Sequence, residues 1–139
     1  MFDTSPIPVT DLRWVEPPHP SLRATHHVIT GREGSDLVFY VAMDDAVPGA
    51  IYRAQAWVFI PRSFRGTYVS MVFYGYQPLE AMSADLSVRN RWQLLFATVV
   101  VPAGESRVSP ALLAGAQAGS QLLSAGWLIS RVPATTPLI

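Results

Sequence analysis

The stretch "AIYRAQAWVFIPR", Ala50 to Arg62, decides how the chain is read. Alternate residues fall into two chemical families, Tyr52, Ala54, Ala56, Val58 and Ile60 on one side and Arg53, Gln55, Trp57 and Phe59 on the other. Successive side chains of a strand point to opposite faces, so this reads as a β-strand with two unlike faces. The first set is core-like. The second mixes a guanidinium, an amide and two aromatic rings, where a face turned only to water more usually carries Thr, Lys, Glu and Ser. Alternation alone does not say which set lies inside. Either Arg53, Gln55 and Trp57 face solvent, or Trp57 and Phe59 fill the space between two sheets and Tyr52 with the alanines faces out.

On both sides of this strand the text repeats the same form, short apolar runs separated by turn residues. Together with Ile51 to Ile60 the runs are "SLRATHHVIT" (21–30), "DLVFYVAM" (36–43), "TYVSMVFYGY" (67–76), "RWQLLFATVVV" (91–101), "RVSPALLAGA" (107–116) and "LLSAGWLISRV" (122–132), seven candidate strands in all. Rich in β-branched and aromatic residues and spaced near the 8 to 12 residues of an all-β sandwich or barrel, they predict an all-β fold. Helix is the rival in two places. "PLEAMSADLSV" places Leu79, Met82 and Leu86 at helical spacing, and "PALLAGAQAGSQLL" is Ala-rich, although Gly115 and Gly119 argue against a long helix there. No internal repeat of 20 to 50 residues is evident.

The 139 residues suit one domain, enough to bury roughly two-thirds of the unfolded surface, and 50% hydrophobic against 14% charged residues predicts a folded chain. Residues 1–20 hold five of the twelve prolines and no sustained period, so they read as an irregular arm with Trp14 as its anchor. The β domain then covers 21–132 and a short tail 133–139. Ten basic residues, all Arg, balance ten acidic ones. The zero net charge gives no field toward nucleic acid or an anionic membrane, and neither partner is expected. The all-Arg usage is read as a GC-rich, bacterial coding bias. Without cysteine, disulfides, thiolate chemistry and sulfur-ligated metals are excluded. The amino terminus lacks a basic start followed by an apolar run, and no segment approaches ~18 apolar residues, so the chain as written reads as soluble and unexported. It is extracellular or periplasmic if it is a module of a longer protein.

Catalytic chemistry finds little support. His26 and His27 are adjacent and would point to opposite faces of a strand, and with His19 they show no metal-ligand spacing. There is no G-x-S-x-G elbow and no nearby His to activate a serine. Asp44 and Asp45 lie in a turn-like "MDDAVPGA", where capping of backbone groups is the expected role and a structural calcium held with backbone carbonyls the lesser one; no cofactor is expected. The remaining acids fall mostly in turns, not as a glycosidase pair roughly 5 to 10 Å apart. "GREGS" is a turn, lacking the third glycine of a dinucleotide loop.

The aromatics are more informative. Tyr40, Tyr52, Trp57, Phe59, Tyr68, Phe73, Tyr74, Tyr76, Trp92 and Trp127 all fall on predicted strands, more than a sandwich core needs. In "TYVSMVFYGY" the residues Val69, Met71 and Phe73 take one face, and Tyr68, Ser70, Val72, Tyr74 and Tyr76 the other, which has the amphipathic look of a contact surface. Trp92 shares a continuously apolar face with Leu94 and Phe96 and reads as core.

The order "PGAIYRAQAWVFIP", "LSVRNRWQLLFATVVVPAG" and "GSQLLSAGWLIS" resembles the carbohydrate-binding modules of the CBM4/CBM9-like, galactose-binding-like jelly-roll group over about 21–131. The resemblance implies an antiparallel two-sheet β-sandwich of jelly-roll topology, with ligand on a concave sheet or at the loops along one edge. It places Tyr52, Ala56 and Trp57 in the first motif, Trp92 and Thr98 in the second, and Trp127 in the closing strand. Where the group often has Asp in that strand this chain has Ala125 and Gly126, so an inherited metal site is in doubt. The leading expectation is a non-catalytic, lectin-like module that binds a polysaccharide or oligosaccharide through Arg53, Gln55, Trp57, Tyr74 and Tyr76. Pyranose C–H patches would stack on the rings and hydroxyls would meet the guanidinium and amide. Such a module would tether a partner enzyme, as a fused catalytic domain, or an envelope protein to the polysaccharide. The alternative is a structural or assembly domain that uses the same face in a homodimer or another protein contact. A jelly-roll enzyme is a weaker third reading, because the histidine cluster for a metal centre is missing.

Overall fold

The computed structural model describes residues 15–30 and 37–133. The anchor at Trp14, the "GREGS" turn and most of the arm and tail lie outside these residues. Eight strands follow one another among the described residues: β1 (Ala24–Val28), β2 (Leu37–Tyr40), β3 (Ile51–Phe59), β4 (Gly66–Phe73), β5 (Glu80–Ser83), β6 (Trp92–Val100), β7 (Pro110–Ala116) and β8 (Gln121–Arg131). No helix occurs among the described residues. All pairings are antiparallel, in the order β1-β8-β3-β6-β5-β4-β7-β2. The ladder folds over into two layers, β1-β8-β3-β6 against β5-β4-β7-β2, which is the jelly-roll arrangement of two interlocked Greek keys.

The hinge between the layers is β5, the strand that sequence periodicity does not reveal. Its first half pairs β6 (Glu80 with Thr98, Ala81 with Ala97) and its second half pairs β4 (Met82 with Met71, Ser83 with Ser70). Four exposed residues shared between two sheets carry no hydrophobic alternation, so the helical spacing of Leu79, Met82 and Leu86 was the stronger pattern in that text. The second helical rival resolves in the same way: 110–116 is β7, and Gly119, at φ 88, sits in the turn before β8.

Between the layers lies the first of the two families in β3. Tyr52, Ala54, Ala56 and Val58 are buried, joined by Leu95, Ala97 and Val99 of β6, Val69, Met71 and Phe73 of β4, Leu112 of β7 and Leu122 of β8. Small residues on the β3–β6 layer leave room for the larger Met71, Phe73 and Leu112 opposite, and each large side chain buried this way contributes about 1.5–3 kcal/mol. The β3 face with Arg53, Gln55 and Trp57 is therefore the outer face of the first layer, and these three residues are half-buried.

Candidate functional site

Register assembles that outer face strand by strand. Arg53 stands between Thr98 of β6 and Ser130 of β8, Gln55 between Phe96 and Leu128, and Trp57 between Leu94 and Ala125. Glu80 of β5 extends the row beyond Thr98. The result is a strip with polar groups at one end and apolar ones at the other. Arg53 rests on the Phe96 ring, its guanidinium carbon 4.2 Å from the ring centroid. Two polar atoms of this strip, Arg53 Nε and Thr98 Oγ1, are buried and have no hydrogen-bond partner among the described residues. They belong to cross-strand neighbours on one face.

The opposite end of the strip is sealed. Phe59 and Trp92 pack ring to ring with centroids 5.5 Å apart, and Val15, Leu123 and Ala125 complete a small second cluster against which Leu22 and Trp57 lean. Trp92 Nε1 donates to the backbone carbonyl of Glu16 at 2.9 Å, fixing the segment before β1 over the face. Trp92 is thus buried, at 2% exposure, but on the outer side of the sheet and beneath a chain segment, not between the layers. Both faces of β6 are apolar, and sequence alone does not separate them. The bulge in β8 serves the same packing: Gly126 adopts φ 66, and a Cβ there would come within 3.0 Å of Leu22 and 3.4 Å of Trp57. Glycine is what lets the indole and Leu22 close over the strand.

Tyr74 and Tyr76 do not join this face. β4 ends at Phe73, and Gly75 at φ 85 turns the chain, so both tyrosines sit in the β4–β5 turn of the other layer and not on a strand. Tyr74 is 60% exposed. Tyr76 packs against the core, its hydroxyl donating to the carbonyl of Arg107 at 2.6 Å, and burial, with the nearby Glu105 charge, raises its phenol pKa. The five residues singled out from the sequence therefore separate into a trio on the first layer and a pair in a turn of the second. Sequence reasoning gave Thr98 only as a motif position and did not place Phe96, Leu128 or Glu80 on the trio's face; the register sets Thr98 beside Arg53, Phe96 and Leu128 beside Gln55, and Glu80 beyond Thr98.

A serine and a histidine do meet, against the sequence reading. His27 Nε2 lies 2.7 Å from Ser124 Oγ, and the indole N–H of Trp127 donates to the same oxygen at 2.9 Å. A sequence separation of 97 hides the pair from any motif. Ser124 is 0% exposed, and the imidazole is walled by Phe39, so the pair binds β1 to β8 in the interior, out of a substrate's reach. Burial, then the charge of His26, lowers the His27 pKa to about 4, so it is neutral at ordinary pH. His26 points the other way, to Gln121 at 2.6 Å, and His19 bonds Ser21. Asp44 faces Arg107 at 3.7 Å, both side chains exposed, and Asp45 takes the left-handed conformation at φ 63. Among the described residues no three His, Asp or Glu side chains converge on a point where a metal ion would sit.

No protein-family model and no curated protein matches the chain. Its fold is shared with a solved structure described as the EclA C-terminal domain, a sugar-binding protein, at a TM-score of 0.58 and 16% identity over 87% of this chain and 84% of that one. More distant likenesses, both at TM-score 0.47, are the enzymatically active domain of tailspike protein 4 of bacteriophage CBA120 (12% identity, 80% of this chain, 18% of that one) and the Clostridium thermocellum xylanase 10B CBM22-1 and GH10 modules complexed with xylohexaose (13%, 87%, 26%). The chain spans about a fifth and a quarter of those two.

Proposed function

We propose that the chain is a non-catalytic carbohydrate-binding module, allied to the CBM4/CBM9-like group, that takes a poly- or oligosaccharide on the outer face of β3 and β6. The observation that carries this reading is the adjacent pair of unpartnered atoms, Arg53 Nε and Thr98 Oγ1, beside an aromatic ring. Each buried polar group without a partner costs about 1–3 kcal/mol, and a folded protein that keeps two side by side has a use for them. A sugar hydroxyl donates and accepts at once, so one hydroxyl can accept from Arg53 and donate to Thr98. Arg53 must first rotate off Phe96, which forfeits about 0.5–1 kcal/mol of cation–π attraction and uncovers the ring for a pyranose C–H face. Gln55 supplies a second polar contact and Leu128 an apolar flank.

The likeness to a sugar-binding domain supports the same reading, since the fold that domain uses is the one found here. The test is a titration of intrinsic tryptophan fluorescence across a broad glycan panel. At least one oligosaccharide shifts the Trp57 emission, Arg53→Ala and Gln55→Ala lose the shift while far-UV circular dichroism is unchanged, and Tyr74→Ala retains it. A flat response across the panel, with light scattering showing a dimer that loses affinity on the same substitutions, would make the face an assembly surface instead.

A further inference from the structure

At the far end of β3 the chain builds a second site. Beyond Phe59, the Asn90 amide N–H donates to the Ile60 carbonyl at 2.8 Å and the Asn90 Oδ1 accepts the Arg62 N–H at 2.9 Å. These bonds hold the β3–β4 loop against the β5–β6 loop. Between the loops opens a cavity of about 410 Å³, lined by Arg62, Ser87, Val88, Arg89 and Arg91. The volume lies within the range of small-ligand sites. Three of the five lining residues are arginines, in a chain whose formal net charge is zero.

Each guanidinium is differently placed. Arg89 is fixed as a structural post: Nε donates to the Leu86 carbonyl at 2.7 Å, and Nη1 donates to those of Phe64 at 2.7 Å and Pro61 at 3.2 Å. Those carbonyls orient its charge without cancelling it. Arg91 is half-buried, and its Nε is sealed from water with no hydrogen-bond partner. Arg62 is exposed at the rim. Asp85, two residues from Ser87, is the nearest acid in sequence, and its carboxylate accepts the Ser87 hydroxyl at 2.6 Å and the Ser87 amide at 3.0 Å. Among the described residues none of the three arginines forms an ion pair with an acid. Like charges gathered in one partly dehydrated pocket repel, and a buried guanidinium N–H with no acceptor is a further cost. An oxyanion offsets the repulsion, and supplies the missing acceptor once the Arg91 side chain turns its fork into the pocket, because planar guanidinium forks match carboxylate, sulfate and phosphate oxygens.

We infer that the pocket between the β3–β4 and β5–β6 loops is an oxyanion site, in which Arg91 and Arg62 grip the carboxylate or sulfate group of an acidic ligand and Arg89 sets the positive field around it. Arg53 lies ~20 Å away along β3, so the site is separate from the outer face and stands without it.

Isothermal titration of the full chain at low ionic strength with sodium glucuronate, sodium sulfate and sodium phosphate tests this, with neutral glucose and sodium chloride as controls. The oxyanions bind and the controls do not. Arg91→Gln weakens binding about tenfold or more, the loss expected for one charge-assisted contact, and Tyr74→Ala, in an exposed turn of the second layer, leaves it unchanged. Glucuronate binding more tightly than sulfate and phosphate marks an acidic sugar as the source of the group. The reverse order marks a free or ester-linked oxyanion. Should Arg91→Gln fail to fold, the exposed Arg62→Gln decides, with a severalfold loss expected. No oxyanion heat beyond the chloride control, or wild-type affinity in both variants, overturns the site.

Discussion

Replacing Thr98 with valine isolates the unpartnered hydroxyl from everything else on the face. Thr98 is 9% exposed and its Oγ1 is buried without a partner beside Arg53 Nε. Valine has nearly the same shape and the same β-branching, so packing and strand propensity change little. What changes is the desolvated oxygen. Leaving a buried hydroxyl without a hydrogen bond costs about 1–3 kcal/mol, and removing it should return part of that. The free protein should gain about 1 kcal/mol in urea unfolding, with the slope against urea unchanged, and its melting temperature should rise by about 3 °C. The same variant should bind its saccharide less well, since the acceptor for a sugar hydroxyl is gone. Stability and binding thus move in opposite directions, a pattern that a purely structural threonine does not give. A loss of 1 kcal/mol or more on Thr98→Val would mean that the hydroxyl is hydrogen-bonded in the folded protein, and the case for a waiting polar site would fall with it.

Three further outcomes follow from the packing. His27 has a folded pKa of about 4 against 6.5 for the free side chain, so its contribution is fully present above pH 6.5 and is lost as pH falls toward 4, up to about 3 kcal/mol; denaturant titrations across that window should show the slope, and His27→Gln should remove most of it. Gly66→Ala would set a Cβ 2.5 Å from the Gly115 carbonyl oxygen and 2.7 Å from the Phe64 ring, and should cost about 2 kcal/mol or more in thermal unfolding. Asn90→Ala removes the acceptor for the Arg62 N–H at a position held at φ 55, and should cost about 2 kcal/mol by the same measurement.

How much of this was legible in the text depends on where two patterns compete. In β3 and β4 alternation is clean, and Val69, Met71 and Phe73 are buried as their spacing implies. The pattern fails at β6, where Trp92, Leu94 and Phe96 make an apolar outer face and Leu95, Ala97 and Val99 an apolar inner one. Burial there is decided by what covers the outside, the segment at Val15 and Glu16, which no local period encodes. β5 escapes because it is short, exposed and divided between partners. Tyr74 and Tyr76 leave the strand because Gly75 takes a positive φ, a turn signal outweighed by the aromatic run around it. The trio Arg53, Gln55 and Trp57 was visible in one strand. Its neighbours Thr98, Phe96 and Leu128 needed the register, because they come from strands roughly 40 and 75 residues further along.

The most direct test of a saccharide face on the first layer is an amide-detected NMR titration of the labelled protein with the tightest oligosaccharide from the glycan panel. The account predicts that the perturbed amides cluster at 53–57 of β3, 94–98 of β6 and 128–130 of β8, with Phe96 and Thr98 among the largest shifts. Perturbations confined to the β4–β5 turn around Tyr74, or to the second layer, would contradict it.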